Sequence, residues 1–250
     1  MLDLLRRKLA HSALFSFNQV LRDRWVHEQA RRVPAGSHVL DVGAGSAPYR
    51  NAFAHCRYRT HDFTQLQPHQ LLHGRYAQID YVSDARAIPV PDGTFDAVLC
   101  TEMLEHVPEP IAVMHELARI LRPGGRLILT APLGSGIHQE PYHYYGGYTS
   151  FWYEKFLDEA GFEQVRIEPN QGSFRYFAQE SIRFARSTRP FALRMPLVWE
   201  LLWAPVWLLL LPALVLVIPM AGVLLDRFDR DRRFTVGYHV TATRAGAGPA

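Results

Sequence analysis

Short apolar runs and turn residues divide the chain into a regular series of predicted elements. His38-Val-Leu-Asp41 reads as a buried strand, followed by a turn holding Gly43 and Gly45 and a helix opening near Pro48. Residues 57–61 read as a second strand with Asp62 at its end. Residues 78–82 read as a third, leading into Asp84-Ala85-Arg86. Residues 95–100, bounded by Asp92-Gly93, form a fourth apolar run. Upstream, Leu2, Leu5, Leu9, Leu14, Phe17, Leu21 and Trp25 recur at helical spacing and predict one broad apolar face. Residues 234–244 alternate and are β-branched, which predicts a closing strand.

One segment breaks this rhythm. Residues 201–225 carry no charge and are long enough, as helix, to match a hydrocarbon core of ~30 Å. Pro205, Pro212 and Pro219 recur at every seventh position within it. Proline removes a helical hydrogen bond and kinks the axis, so a broken segment is expected rather than a straight one.

The strand–turn–helix at Gly43 and Gly45 has a chemical use. Glycine admits close backbone approach and positive φ, and a helix N-terminus presents free N–H groups with a partial positive charge. A nucleoside cofactor suits such a turn. Asp62, at the end of the next strand, stands where a doubly wound fold hydrogen-bonds ribose hydroxyls, although a turn-capping aspartate would look the same. The third glycine of a nicotinamide-binding turn is missing, which weakens a dehydrogenase reading.

The ordered set VLDVGAGSAPYR, Asp62, DARAIPVPDGTFDAVLCTEMLEHVPEP, ELARILRPGGRLILTAP and AGFE resembles class I S-adenosylmethionine-dependent methyltransferases. Within that class it is similar to the ubiquinone and menaquinone group with a type 11 methyltransferase domain, over residues 32–168. The resemblance implies an α/β fold: a Rossmann-like seven-stranded sheet with helices on both faces. Its seventh strand runs antiparallel between the fifth and sixth. It also implies S-adenosylmethionine as cofactor. Asp41, Gly43, Ala44 and Gly45 would surround its methionine end. Asp62 would bind the ribose, Phe63 would flank the adenine, and Asp84 and Ala85 would meet the adenine edge. Thr101 and Glu102 would line the methyl-donor pocket.

The same likeness divides the chain. Residues 1–33 would be an N-terminal helical lid, although a basic, apolar-faced helix could equally lie on a membrane. Residues 34–168 would form the cofactor-binding core, 169–233 an insertion, 234–244 the closing strand and 245–250 a disordered tail. Glu102, Glu105 and His106 resemble a trio that some quinone-pathway members use for a divalent metal. Acids at a helix start have a dipole reason of their own, so no metal is expected.

Ile137-His-Gln-Glu-Pro-Tyr-His-Tyr-Tyr-Gly-Gly-Tyr-Thr149 follows the fifth strand, at the edge where open sheets bind ligands. It resembles an E-x-P-x-D-Y-Y-R-Y-T loop of methyltransferases from cell-surface polysaccharide pathways. His143 replaces the aspartate and Gly146-Gly147 the arginine. An oxygen acceptor needs a general base, and His143, His138 and Glu140 are the candidates. A loop histidine that only holds Tyr144 or Tyr145 in place is the structural alternative.

Composition narrows the partners. The 250 residues carry 27 Lys and Arg against 24 Asp and Glu, a formal charge of +3, with no basic aromatic patch that would recognise nucleic acid. Cys56 and Cys100 are the only cysteines, which suits a reducing compartment without a disulfide framework. The order Met1–Leu5 then Arg6-Arg7-Lys8 reverses that of a cleavable signal.

Because the apolar run lies between sheet neighbours, a single crossing would separate the last strand from its sheet. It should enter and leave by one membrane face, as a re-entrant hairpin bent near Pro212 or as a helix pair in the interface. Arg183, Arg186, Arg189 and Arg194 precede it and Arg227, Arg230, Arg232 and Arg233 follow it. Asp226, Asp229 and Asp231 partly cancel the second group. Arginine on both flanks predicts the cytoplasmic face of the inner or plasma membrane. The expected function is methyl transfer there to a lipid, quinone or lipid-linked glycan. The alternative is a non-catalytic membrane-associated scaffold of the same fold.

Overall fold

The computed structural model describes residues 17–246. It divides into two compact units: residues 22–168 with 237–246, and residues 17–21 with 169–236.

The first unit is built on a seven-stranded sheet of order β3-β2-β1-β4-β5-β7-β6. Its strands are β1 His38–Val42, β2 Arg57–Asp62, β3 Tyr81–Val82, β4 Phe95–Thr101, β5 Leu121–Pro132, β6 Phe162–Pro169 and β7 Gly237–Arg244. The pairings β2–β1, β1–β4 and β4–β5 are parallel, and β5–β7 is antiparallel from Arg126↔Thr243 to Pro132↔Gly237. The closing strand therefore lies between β5 and β6, as the resemblance implies. Both faces of the sheet are covered at its centre, which is why β1 and β4 read as apolar runs rather than alternating ones.

On one face Leu40, Val98, Leu127 and Val240 pack with Val113, Met114 and Leu117 of the helix Pro110–Ile120. On the other, Trp25, Val26 and Ala30 of the helix Phe17–Arg31 pack with Val39, Leu99 and Ile128. Trp25 also stacks on His239 of β7, with ring centroids 4.8 Å apart. The upstream part of the expected lid, residues 1–16, lies outside the described residues, as do residues 247–250 of the expected tail.

The second unit is an antiparallel helical pair. The helix Ser173–Ser187 runs against a long helix made of Leu197–Pro212, a π-helical turn Ala213–Val217 and Ile218–Leu225. Gly222 makes the close approach possible, since a Cβ there would lie 2.8 Å from Phe174 O and 2.9 Å from the Ala178 Cβ. At the far end the indole nitrogens of Trp207 and Trp203 donate to Ala185 O (3.0 Å) and Thr188 O (2.6 Å).

The reversal expected near Pro212 does not occur there, because backbone torsions stay helical through Ala213 and Ile218. The chain reverses instead between Ser187 and Leu197. Buried Glu200 ties that turn by accepting from Phe191 N (2.7 Å) and Met195 N (3.0 Å). The wide turn explains how the prolines are accommodated. In π register, Ile218 N donates to Ala213 O, so the donor for Leu214 O would be Pro219, which has no N–H. Ser181 Oγ stands 2.9 Å from that carbonyl and 2.8 Å from Ala178 O, and its proton supplies the missing bond.

Asp226 and Asp229 are more than diluents of neighbouring arginines. Asp226 accepts from Gly172 N and Arg175 N, and Asp229 accepts from Ser173 N at 2.6 Å, so both cap the helix Ser173–Ser187.

Candidate functional site

A cavity of about 440 Å³ opens at the carboxyl ends of β1 to β4, within the range of small-molecule sites. Gly43, Asp62, Phe63, Asp84 and Ala85 line it, together with His61, Met103, His106, Tyr142 and Tyr144. Gly43 adopts φ 74°, and a Cβ there would strike the Met103 side chain, so the turn requires glycine on two counts. Asp62 accepts from Gly45 N and from Thr64 N, both at 2.9 Å. Burial raises its pKa against these backbone donors. Each oxygen keeps a lone pair for a ligand hydroxyl. The Asp84 carboxylate pairs with Arg86 through two side-chain bonds of 2.8 and 3.0 Å, and that pairing lowers its pKa.

The other expected cofactor residues stand behind this wall. Asp41 is fully buried and accepts a short hydrogen bond from the Tyr58 hydroxyl. Burial pushes its carboxyl up to about 7. Ala44 and Gly45 form the turn itself, where Ala44 N donates to His61 O at 3.0 Å. Thr101 ends β4 opposite Thr130. Glu102 holds a left-handed φ of 48°, fixed by its backbone N–H on Thr130 O (2.8 Å) and by the Thr130 hydroxyl on Oε1 (2.9 Å). Its Oε2 pairs with Arg22 at 3.0 Å. Glu102 is thus engaged by Thr130 and Arg22, and the ligand-type atoms that lie within 4.8 Å of one another belong to Glu105, His106 and His138 rather than to the quinone-pathway trio.

The loop after β5 closes the other side. It is fastened to the 3₁₀ turn Leu104–His106 by Tyr144 N on Glu105 O (2.9 Å) and by the buried Tyr148 hydroxyl on Leu104 O (2.7 Å). Tyr142 meets Phe63 edge to face at 5.0 Å. This fastening gathers three histidines: ring centroids are 4.7 Å apart for His106–His138 and His138–His143, and 5.7 Å for His106–His143. Burial drives His106 down to about 4, with His138 and His143 adding to the effect, and burial also lowers His143. The His106 imidazole is therefore neutral at pH 7 and too weak a base to take up an acceptor's proton. Glu140 contributes its backbone carbonyl, which accepts from Gln70 Nε2 at 2.9 Å.

Sequence reasoning did not place Met103, His61, Tyr142 or Tyr144 at the cavity wall, nor His106 beside the loop histidines. Only the Glu105-His106 pair carried a signal, and it pointed to Glu102 as partner. A larger cavity of about 670 Å³ lies at the opposite edge of the sheet. It is lined by Arg32, Arg126 and Arg166 and has neither the glycine turn nor the strand-end acids.

The strand order, the antiparallel seventh strand and a glycine turn braced by Asp62 define a class I S-adenosylmethionine-dependent methyltransferase fold. Residues 40–129 match the family described as methyltransferase domain, Methyltransf_11, so this part of the chain is a methyltransferase domain and its cofactor is S-adenosylmethionine. A ubiquinone biosynthesis O-methyltransferase of Xanthomonas axonopodis pv. citri (strain 306) is 39% identical over 119 residues, 43% of this chain and 48% of that protein. The chain spans about half the length of the curated relatives it matches. Among solved structures, the cyclase SpnF is similar with a TM-score of 0.53 at 22% identity, over 89% of this chain and 80% of that one. A phosphoethanolamine N-methyltransferase 2 from Haemonchus contortus, in complex with phosphomonomethylethanolamine and S-adenosylhomocysteine, gives 0.52 at 15% identity, over 90% and 52%. At these identities both show the fold alone.

Proposed function

We propose that the chain transfers the methyl group of S-adenosylmethionine to an oxygen of a membrane-held acceptor, a quinone precursor or another lipid-linked molecule, at the cytoplasmic face. Methyl transfer from a sulfonium is an in-line displacement, so the protein's work is to align the acceptor, exclude water and take up its proton. In this reading Gly43, Asp62, Phe63 and Asp84 hold the donor. Tyr142 and Tyr144 close over it, and the histidine cluster receives the acceptor's proton, with His143 and His138 as bases. The relatives named as ubiquinone biosynthesis O-methyltransferases support the oxygen acceptor.

The observation that carries the membrane reading is the exposure of the long helix. Of its most apolar 18-residue window only 11% is buried, whereas a soluble core helix would be mostly buried. Leu209 is 80% exposed. An apolar surface of this extent marks an interaction site. Its partner helix carries Arg183 and Arg186 on the surface, charges that are costly in the hydrocarbon centre. The pair therefore lies in the interface, with the long helix toward the acyl chains and the arginines among the head groups.

The test has two arms. Flotation with vesicles containing phosphatidylglycerol should carry the wild-type protein upward, and Leu208→Asp/Leu209→Asp should leave most of it behind with donor affinity unchanged. Radiolabelled methyl groups should appear in a total lipid extract rather than in a soluble metabolite pool. A wild-type protein that ignores vesicles would sink the membrane reading. Label confined to soluble metabolites would sink the lipid acceptor.

A further inference from the structure

We infer that the groove lined by Arg32, Arg126 and Arg166 is a binding site for a water-soluble molecule bearing a phosphate or diphosphate group, separate from the site of methyl transfer. In the sheet Arg126 is level with Ala97 near the start of β4 and with Thr243 near the end of β7. The groove therefore lies at the edge opposite the cofactor cavity, and the two share no lining residue. Its volume of about 670 Å³ exceeds the needs of a bare ion and suits a small metabolite.

The pleat places the polar groups. Arg126 of β5 stands opposite Thr243 of antiparallel β7, and Thr241 lies two residues away on the same face. Gln164 and Arg166 keep the same two-residue step along β6, and Arg32 follows the helix Phe17–Arg31.

These arginines lack counter-ions. Asp96 also lines the groove, but it is engaged by Arg122 at 2.7 Å and by His38 N at 2.6 Å. Among the described residues no carboxylate forms an ion pair with Arg32, Arg126 or Arg166. Half-buried Arg126 makes one side-chain hydrogen bond, from Nη2 to the neutral amide of Gln29 at 2.7 Å, and its buried Nε has no partner. Gln29 is itself 4% exposed, so the amide that holds the guanidinium is fixed by packing. Burial lowers the Arg126 pKa, and Arg32 and Arg166 add to the effect as like charges do. Arginine does not deprotonate in proteins, so an anion is what relieves this repulsion. A buried N–H without a partner calls for a specific explanation of this kind.

The ligand class follows from charge and surface. Four arginines against Asp96 and Glu168 leave a surplus of two positive charges in the lining. A phosphate ester, with about −1.5 to −2 near pH 7, matches that surplus, and a single carboxylate does not. Guanidinium groups grip phosphate oxygens through paired N–H donors. No exposed large apolar side chain borders the groove, in contrast to the long helix, so an acyl chain has no surface to lie on. A soluble phosphorylated molecule therefore fits better than a lipid head group.

The test is calorimetric titration of the full chain with pyrophosphate, inorganic phosphate and acetate, in a buffer free of other multivalent anions. One pyrophosphate per chain is expected, with phosphate weaker and acetate silent. Arg126→Gln and Arg166→Gln should each weaken pyrophosphate binding roughly tenfold through loss of a charge-assisted pair. Arg166 is exposed, so its variant keeps the fold, and unchanged S-adenosylmethionine affinity checks Arg126→Gln. Arg57→Gln removes an exposed arginine outside the groove and should leave pyrophosphate binding as it is. Absence of pyrophosphate binding would overturn the inference. So would binding that survives both groove substitutions, acetate binding as tight as that of pyrophosphate, or displacement of pyrophosphate by S-adenosylmethionine. Flotation with phosphatidylglycerol vesicles should be the same for Arg126→Gln as for wild type, and a loss would overturn the choice of a soluble ligand in favour of head groups.

Discussion

The two sides of the cavity are held by different kinds of structure. On the glycine-turn side, backbone conformation does the work: Gly43 and Gly45 at positive φ, and Asp62 bracing the turn through Gly45 N. On the loop side, side chains share the work with the main chain. The Tyr148 hydroxyl and the Tyr144 backbone N–H fasten residues about 40 positions downstream onto the 3₁₀ turn at Leu104–His106, and only then do three histidines meet. A backbone-built wall tolerates few changes at the turn. A wall built from side chains can exchange its chemistry while the sheet beneath stays the same.

The largest expected effect tests the backbone side and comes from Asp41. Its carboxyl sits at about 7 in the fold, against about 3.9 in an unfolded chain. Between those values the native state keeps a proton that the unfolded state has released, so stability falls as pH rises through the window. The loss is complete above pH 7 and amounts to at most roughly 4 kcal/mol. Asp41→Asn can still accept from the Tyr58 hydroxyl and does not titrate. Urea denaturation from pH 4 to 8 should therefore show a falling curve for wild type and a flatter one for the variant. Parallel curves would mean that Asp41 ionises freely despite its burial.

Next is Gly43→Ala. The new Cβ meets Met103 and forces φ 74° on a residue that resists it. Together these should remove about 2–3 kcal/mol of stability and lower S-adenosylmethionine affinity, read by denaturation and calorimetry. A variant of unchanged affinity would show that the turn is only a packing device.

The loop side should respond more weakly. Tyr148→Phe removes the hydroxyl on Leu104 O from a buried site, a loss of about 1 kcal/mol. The main consequence should be local: faster hydrogen exchange across residues 135–147, with β1 and β4 unaffected. Uniform acceleration over the sheet would contradict the separation between the two sides.

Legibility in the sequence follows the same division. Gly43 and Gly45 follow a short apolar strand, so periodicity and turn chemistry locate them without knowledge of the fold, while the spacing of a doubly wound fold places Asp62 and the resemblance places Asp84. The order of strands, including β7 between β5 and β6, came with the resemblance rather than from periodicity. The histidine cluster could not be read, because His106 and His138 are brought together by a loop whose path depends on tyrosines bonding backbone carbonyls. The hairpin was misplaced for a related reason. Proline usually interrupts a helix, but Pro219 follows a π turn, and the carbonyl it leaves free is met by Ser181 from another helix. Pattern within one segment carries no sign of that remote hydroxyl.

The smallest effect returns to the glycine turn, at a left-handed position that is not glycine. Ala47 holds a φ of 49° and is 7% exposed, so it bears the left-handed strain that glycine would not. That strain is about 1–2 kcal/mol for an L-residue, while glycine's freer unfolded chain opposes the gain by about 0.4–1 kcal/mol. Ala47→Gly should therefore raise stability by about 0.5–1 kcal/mol, measured as a higher urea midpoint with unchanged slope. Donor affinity should stay the same, since Ala47 does not line the cavity. A destabilised variant would mean that the alanine methyl contributes more by packing than the backbone loses by strain, and the turn would then depend on a side chain as the loop side does.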